Sequence, residues 1–432
     1  MFKFLKKTFI SLSIRNYRLF FCGQAVSLIG TWIQRTTLGW YVYRLTNSAF
    51  LLGLVMFLSM IPSLFISPFV GAWADRWNRH QVVIGTQVAF LIQNAILAIL
   101  VLTNVINSQV TYPILILAAL QGIIVAVDSP VRQTLLIDLI GDKKMLPNAI
   151  ATNSAMFNGA RLIGPALGGF LIVLFNEGVC FAINAASYLP VIFTLSFIRI
   201  KYPSLKPQTE STLRKIIDGY RYVYHSFPIR FLIINLAVYM LFAFSYSTLI
   251  PIFAKDVLHG DSGTQGLLMS TAGIGALIGS FILASKNSIK GLQFRLLLVG
   301  IVASISLMLF SRSTSLILSM ALMFFIGFGL MMNNATTNTL IQSLVSDDMR
   351  GRVLSTYTTT FMSMSPLGGL LAGTISSYLG AQTTILIFAT ICLLWSLYGL
   401  RILPRFSKGM LKMLVLNSNH SVYRIPPSRL MP

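Results

Sequence analysis

The 432-residue chain is 55% hydrophobic and 10% charged, and its 33 lysines and arginines against 11 carboxylates leave a net charge of +22. Soluble domains carry about 25% charged residues, so a water-exposed globular exterior is excluded, and the mean hydropathy of +0.76 points to a lipid-embedded chain. The three cysteines (Cys22, Cys180 and Cys392) form no CxxC pair and the four histidines lie in loops or tails, which leaves no metal site, disulfide framework or cofactor to expect.

Residues 1–16 read as a basic N-terminal tail, because Arg15 and Arg18 interrupt any signal-peptide core. Apolar runs long enough to span a bilayer as helices, about 20 residues each, follow at 17–43, 49–73, 80–103, 112–133, 148–175 and 179–199. The polar interruption at 200–228 holds two prolines and a basic amphipathic stretch from Ser211 to His225, and reads as a linker along the inner leaflet. Six more runs follow at 229–254, 265–285, 293–311, 315–340, 353–378 and 383–403, then a basic tail at 404–432. The expected fold is all-α integral membrane, with twelve transmembrane helices in two six-helix halves, 17–199 and 229–403. A closed barrel needs alternating segments of ~10 residues instead.

Twenty-eight of the 33 cations fall in the two tails and the even-numbered connections, while Arg44, Lys255 and Arg312 alone face the other side. Positive residues stay cytoplasmic. Both termini are therefore expected inside, in a bacterial cytoplasmic (inner) membrane. The charge is a topology signal and implies no nucleic acid. Only Arg35 and Arg161 remain, and both lie within helices.

Polar residues recur at helical spacing in four segments: Gln24, Ser27, Thr31 and Gln34 with Arg35 in the first; Ser154, Asn158 and Arg161 in the fifth; Asn235, Tyr239 and Tyr246 in the seventh; Asn333, Asn334 and Thr337 in the tenth. Such faces turn to other helices or to a water-filled path. One stripe is explained by bonding between helices, whereas four favour a substrate cavity. An unpaired arginine at the bilayer centre costs ~2.5–3.5 kcal/mol and does not deprotonate. No mid-membrane carboxylate is expected to pair with Arg35 or Arg161. They bond to backbone carbonyls and water, or an anionic substrate supplies the missing charge, with Trp32 and Trp40 beside it.

The halves resemble each other. "TLLIDLIGD" (134–142) matches "TLIQSLVSD" (339–347), "GPALGG" (164–169) matches "SPLGG" (365–369), and "GLVM" (53–56) matches "GLLM" (266–269). Parallel six-helix repeats around a central site are a transporter architecture.

The stretch "GAWADRWNRH" (71–80) resembles the loop signature of the major facilitator superfamily, G-x-x-x-D-R/K-x-G-R-R/K, through Gly71, Asp75, Arg76 and Arg79. Asn78 and His80 depart from it. "GPALGG" resembles the antiporter motif of the superfamily's exporters through Gly164, Pro165, Gly168 and Gly169, with Ala160 in place of an upstream glycine. Residues 16–55 and 128–169 are similar to the bacterial secretion-type branch that includes the enterobactin exporter. The branch's fourth-helix R-x-x-Q-G stands here as Ala118-x-x-Gln121-Gly122, without its arginine. The resemblance implies a conformational latch. Asp75 docks at the start of the eleventh helix, Gly351 to Thr356, where unpaired N–H groups favour a carboxylate. Arg76 or Arg79 pairs with Asp128, which is read as a membrane-edge acid. The glycines of "GPALGG" either let a neighbouring helix pack closely or form a hinge and seal between the fifth and eighth helices, with "GIGALIG" (273–279) as the complementary small surface.

The expected function is a monomeric secondary exporter that moves a small solute by alternating access, linked to protons, with an anionic siderophore-like substrate favoured and multidrug efflux of lipophilic compounds as the alternative. An integral-membrane enzyme would need a base, nucleophile or metal within the membrane, and no His, Asp or Glu is placed mid-helix. No P-loop exists for ATP-driven transport. A non-transporting scaffold leaves the polar stripes unexplained.

Overall fold

The structure, a computed structural model, describes residues 10–73, 78–141, 144–198, 212–285, 288–289 and 291–420. The apolar runs form helices because lipid leaves the backbone no other partner for its N–H and C=O groups. In the first half these are α1 Arg15–Thr46, α2 (Ala49–Leu58 and Ile61–Trp73), α3 Arg79–Leu102, α4 Tyr112–Ile140, α5 Leu146–Leu174 and α6 Glu177–Ser196. A linker helix, Thr212–His225, precedes the second half: α7 Phe227–Val257, α8 Ser262–Ala284, α9 Leu292–Arg312, α10 Leu316–Leu344, α11 Asp347–Leu379 and α12 Ala381–His420. Ten of these rods are long and apolar enough to cross a membrane among the described residues. The other two, α1 and α11, are the more polar.

Local chemistry sets the turns. Asn47 ends α1 in the left-handed region (φ 49°) and Ser48 then caps α2 by accepting from Leu51 N, so two residues reverse the chain. Asn78, Asn176 and Asp261 cap α3, α6 and α8 in the same way, Asp261 with a full capping box. Pro62 lacks an N–H to continue α2 past Leu58, and the break sits against Gly122, where a Cβ would lie 2.7 Å from the Leu58 carbonyl oxygen. Two wide i→i+5 turns interrupt α7, at Tyr239–Ala243 and Phe253–Val257, a geometry frequent at functional sites.

Three helices outrun their apolar stretches. α4 continues past residue 133 because Leu135, Leu136, Leu139 and Ile140 remain buried, α11 starts six residues before the expected 353, and α12 continues through Pro404. The expected tail at 404–432 is thus helical up to His420. Phe406 and Met410, one turn apart, extend the apolar face onto Phe231 and Val223, and the Arg405 guanidinium lies over the Phe227 ring. The linker helix packs on α11, joined by an Asp218–Arg352 ion pair at 2.8 Å, and leaves Ile217, Tyr220 and Tyr224 exposed.

The neighbour pattern repeats between halves. α3 packs on α6 as α9 packs on α12, α1 on α5 as α7 on α11, and α2 on α4 as α8 on α10; between the halves α2 meets α11 as α8 meets α5. Apolar packing is one continuous cluster across both halves at the face away from the linker. Toward the linker face it divides into one cluster within the first half and another within the second. The molecule is joined at one face and split at the other.

Candidate functional site

Two seams join the halves, and the repeated "GLxM" segments build both. A Cβ on Gly53 of α2 would lie 2.7 Å from the Gly369 carbonyl oxygen of α11; a Cβ on Gly266 of α8 would lie 2.7 Å from the Pro165 carbonyl oxygen of α5. Small residues let backbones approach this closely. Side-chain hydrogen bonds lock the same level: Gln265 Nε2 donates to Thr36 O at 3.0 Å, Ser262 Oγ to Gly169 O at 3.1 Å and Ser270 Oγ to Leu162 O at 2.9 Å. Nearer the surface, Lys255 Nζ donates to Asn47 Oδ1 at 2.6 Å and Tyr43 Oη to Asp256 Oδ2. The structure is therefore closed at the face opposite the linker.

The "GPALGG" glycines divide their work. Gly169 faces α8 across the seam, whereas Gly164 and Gly168 face Trp32 and Ile33 of α1, and Ala160 packs with Leu28 and Met156. Of "GIGALIG", Gly273 meets α5, while Gly275 and Gly279 turn to Phe324 and Phe328 of α10. The expected small-residue seal thus uses Gly266 and Gly273, with the later glycines packing inside their own half.

Below the seams a cavity of ≈ 70 Å³ lies between the halves, walled by α1, α2, α5, α7, α8 and α11. Arg35 and Arg161 both line it, the former 5.4 Å from the centroid of the Trp32 ring. No carboxylate lies in its wall, and neither guanidinium has an ion-pair partner among the described residues. Two uncompensated positive charges thus face one space whose dielectric is low, so each acts strongly on an incoming ion. Pro165 and Pro366, from matching repeat segments, face this space too, as do Met56 and Met269, the methionines of "GLVM" and "GLLM".

Other expected cavity residues lie elsewhere. Gln34, Asn235 and Tyr239 are at most 1% exposed and stay inside their own halves. Gln34 Oε1 accepts from Asn184 of α6, Asn235 bonds to Asn333 and Thr337 of α10 and accepts from Trp395 Nε1 of α12, and Tyr239 bonds to Ser396. These are the interhelical bonds that a single stripe also allowed. Asn334 accepts from Tyr357 Oη, Asn158 Nδ2 donates to Ser154 O, and Thr31 Oγ1 donates to Ser27 O. Gln24 lines a different cavity, between α1, α4 and α5.

The latch residues Asp75 and Arg76 lie outside the described residues, and Gly71 falls at the end of α2. Arg79 pairs with Asp138 at 2.9 Å rather than with Asp128. Asp128 is only 2% exposed within α4, accepts from Thr86 Oγ1 and Gln87 Nε2 at 2.8 Å each, and pairs with Arg132 at 3.1 Å. A buried acid therefore lies within α4, inside the apolar run expected at 112–133, and it is held by side chains of α3 as well as by its own helix. The i, i+4 spacing of Asp128 and Arg132 was the available signal. Among the described residues no ion pair at the linker face joins the two halves: Arg79–Asp138 and Arg132–Asp128 lie in the first half, Arg350–Asp347 in the second, and Arg352–Asp218 ties the linker helix to α11.

Residues 6–413 match the family model described as transmembrane secretion effector. The Staphyloferrin A transporter of Staphylococcus aureus (strain NCTC 8325 / PS 47) is 28% identical over 412 residues, covering 94% of this chain and 99% of that protein. The multidrug efflux pump Tap of Mycolicibacterium fortuitum is 23% identical over 362 residues (83% and 88% covered), and the macrolide efflux protein A of Streptococcus pyogenes 22% over 392 residues (87% and 94%). Among solved structures, the nucleoside transporter NupG aligns with a TM-score of 0.69 at 16% identity, over 90% of this chain and 99% of that one. A bacterial homolog of the human lysosomal transporter Spinster, inward-facing and unoccupied, aligns with a TM-score of 0.69 at 14% identity over 92% and 97%. At these identities the structures speak for the fold.

Proposed function

The chain belongs to the transmembrane secretion effector family of major facilitator transporters, and from that membership we propose that it exports a carboxylate-bearing, siderophore-like anion from the cytoplasm by alternating access. The observation that carries the reading is the pair of uncompensated guanidiniums, Arg35 and Arg161, facing one cavity between the halves. A guanidinium fork matches a carboxylate bidentately, and a cation entering the same space would meet two like charges. The name of the Staphyloferrin A transporter supports the solute class.

The linker face is cytoplasmic in this proposal, by the bias of cations toward it. The conformation is then closed outward, and ≈ 70 Å³, against the several hundred Å³ of ordinary ligand pockets, means that the central cavity must widen to take its load. Reporter fusions after Arg44, Lys255 and Arg312 should register outside, and fusions after Arg79 and Arg352 inside. A reversed signal at several of them would overturn the orientation. We keep proton linkage within the proposal, with the buried Asp128 as the acid nearest the cytoplasmic path, and monomeric action with it.

Multidrug efflux is the second reading, and the cavity wall gives it one argument: Met56, Met60, Met269 and Phe244 form an adaptable apolar surface. Calorimetric titration of the purified protein separates the two. Staphyloferrin A should bind and ethidium should not displace it; binding of ethidium with no heat from staphyloferrin A would move the assignment to lipophilic drugs.

A further inference from the structure

A second cavity, of ≈ 480 Å³, lies toward the linker face between α1, α4 and α5 and is lined by Gln24, Ser129, Arg132, Gln133, Asn153 and Phe157 among others. Arg132 is the one charged residue among those that line it. Its guanidinium is 31% exposed and held from behind by Asp128, whose other oxygen is occupied by Thr86 and Gln87. One nitrogen of the fork contacts Asp128, and a guanidinium has five N–H donors, so the remainder can turn to the cavity. Gln24 is 3% exposed and its side-chain oxygen has no partner. An unsatisfied buried acceptor of this kind costs stability unless a ligand or water meets it.

The two cavities share helix faces. On α5, Asn153 and Phe157 line the second cavity and Arg161, one turn further, lines the central one; on α1, Gln24 lines the second, and Trp32 and Arg35 line the central one. The rings of Trp32 and Phe157 meet edge to face, 6.0 Å between centroids. An aromatic pair therefore stands between a roomy, mainly apolar cavity with one cation at the open face and a tight basic cavity at the closed one.

We propose that the α1/α4/α5 cavity is a loading site for carboxylate-bearing solutes, distinct from the central site, in which the solute carboxylate and Asp128 compete for Arg132. The proposal rests on the reading of the solute as an anion. The volume supports it, since this cavity is within the range of a small-molecule site while the central one is not. The pairing supports it too. While the site is empty Asp128 neutralises Arg132, and when a solute takes the guanidinium, Thr86 and Gln87 still hold the vacated carboxylate.

The test uses full-length protein with Cys22→Ser and Asn153→Cys, in detergent, and follows alkylation of residue 153 by N-ethylmaleimide with citrate as the probe; Cys180 and Cys392 are buried. Citrate should slow alkylation several-fold, and should still do so with Arg35→Gln and Arg161→Gln combined. Arg132→Gln should abolish protection and Arg132→Lys should retain part of it, which separates loss of the charge from loss of the fold. Asp128→Asn should lower the citrate concentration needed, because the competitor is gone; a purely structural Asp128 would not produce that gain. Protection that survives Arg132→Gln, or that Asp128→Asn weakens, overturns the loading site. Protection that vanishes with Arg35→Gln and Arg161→Gln overturns it as well, leaving one central site. Failure of the anion reading would show separately, as absence of staphyloferrin A binding to the unmodified protein.

Discussion

Gly169→Leu should reduce transport at least ten-fold while the protein still reaches the membrane. A Cβ at this position would lie 2.4 Å from the Ser262 carbonyl oxygen and 3.1 Å from Gly266 Cα, both backbone atoms of α8 that no rotamer change can move aside. Overpacking of a tight contact costs about 1–3 kcal/mol, and here the strain is relieved by parting α5 from α8, that is, by leaving the closed-outward conformation. Since 1.4 kcal/mol is ten-fold in an equilibrium, a population shift of roughly five- to a hundred-fold follows. Gly159→Leu is the matched control on the same helix, because nothing lies within 4 Å of its added Cβ. A cysteine at Gln265, which bonds across the seam, should become more reactive from the outer side in Gly169→Leu and stay protected in Gly159→Leu. Equal behaviour of the two variants in both measurements would remove the seam from the transport cycle. By the repeat symmetry, Gly53→Leu should act like Gly169→Leu, since its Cβ meets the Gly369 carbonyl and Gly373 Cα.

The second large effect is electrostatic. Arg35→Gln and Arg161→Gln should each lower export of a carboxylate anion by about ten-fold or more, the scale set by hydrogen bonds to charged groups at ~1.5–3 kcal/mol. Both variants should fold at least as well as the parent, because they remove a charge that lacks a counter-ion inside the bilayer. Thermal melting in detergent checks that half of the prediction. The double variant should lose little beyond the worse single one if both arginines grip the same carboxylate, and should lose multiplicatively if each grips its own. Anion export unchanged in both single variants would return the arginines to a structural role.

What the sequence could show followed from the solvent it was built for. Bilayer thickness imposes a length on every apolar run, so the order and approximate span of α1–α12 were legible. The ends of α4 and α12 were not, because hydropathy stops where lipid stops whereas Leu139, Phe406 and Met410 are buried by protein beyond it. Arg35 and Arg161 stood out because carboxylates are so scarce that an unpaired charge is visible without coordinates. Gln34, Asn235 and Tyr239 looked the same in sequence, and periodicity alone cannot distinguish a neighbour in the same half from a cavity. The repeated "GLVM" and "GLLM" were legible as a duplication; their place on the seams needs the partner helix, which no single segment names. The partners of Asp128 were hidden for a related reason: Thr86 and Gln87 of α3 reach it across a contact that sequence spacing does not encode.

The most direct measurement is uptake into everted membrane vesicles energised by a proton gradient, with staphyloferrin A and ethidium supplied in parallel. Interior-directed accumulation of the anion, abolished by collapsing the gradient and cut about ten-fold by Arg161→Gln, is the result predicted. Accumulation of ethidium with none of the anion, or anion uptake indifferent to both arginines, would contradict the proposal that an anion is carried on these two cations.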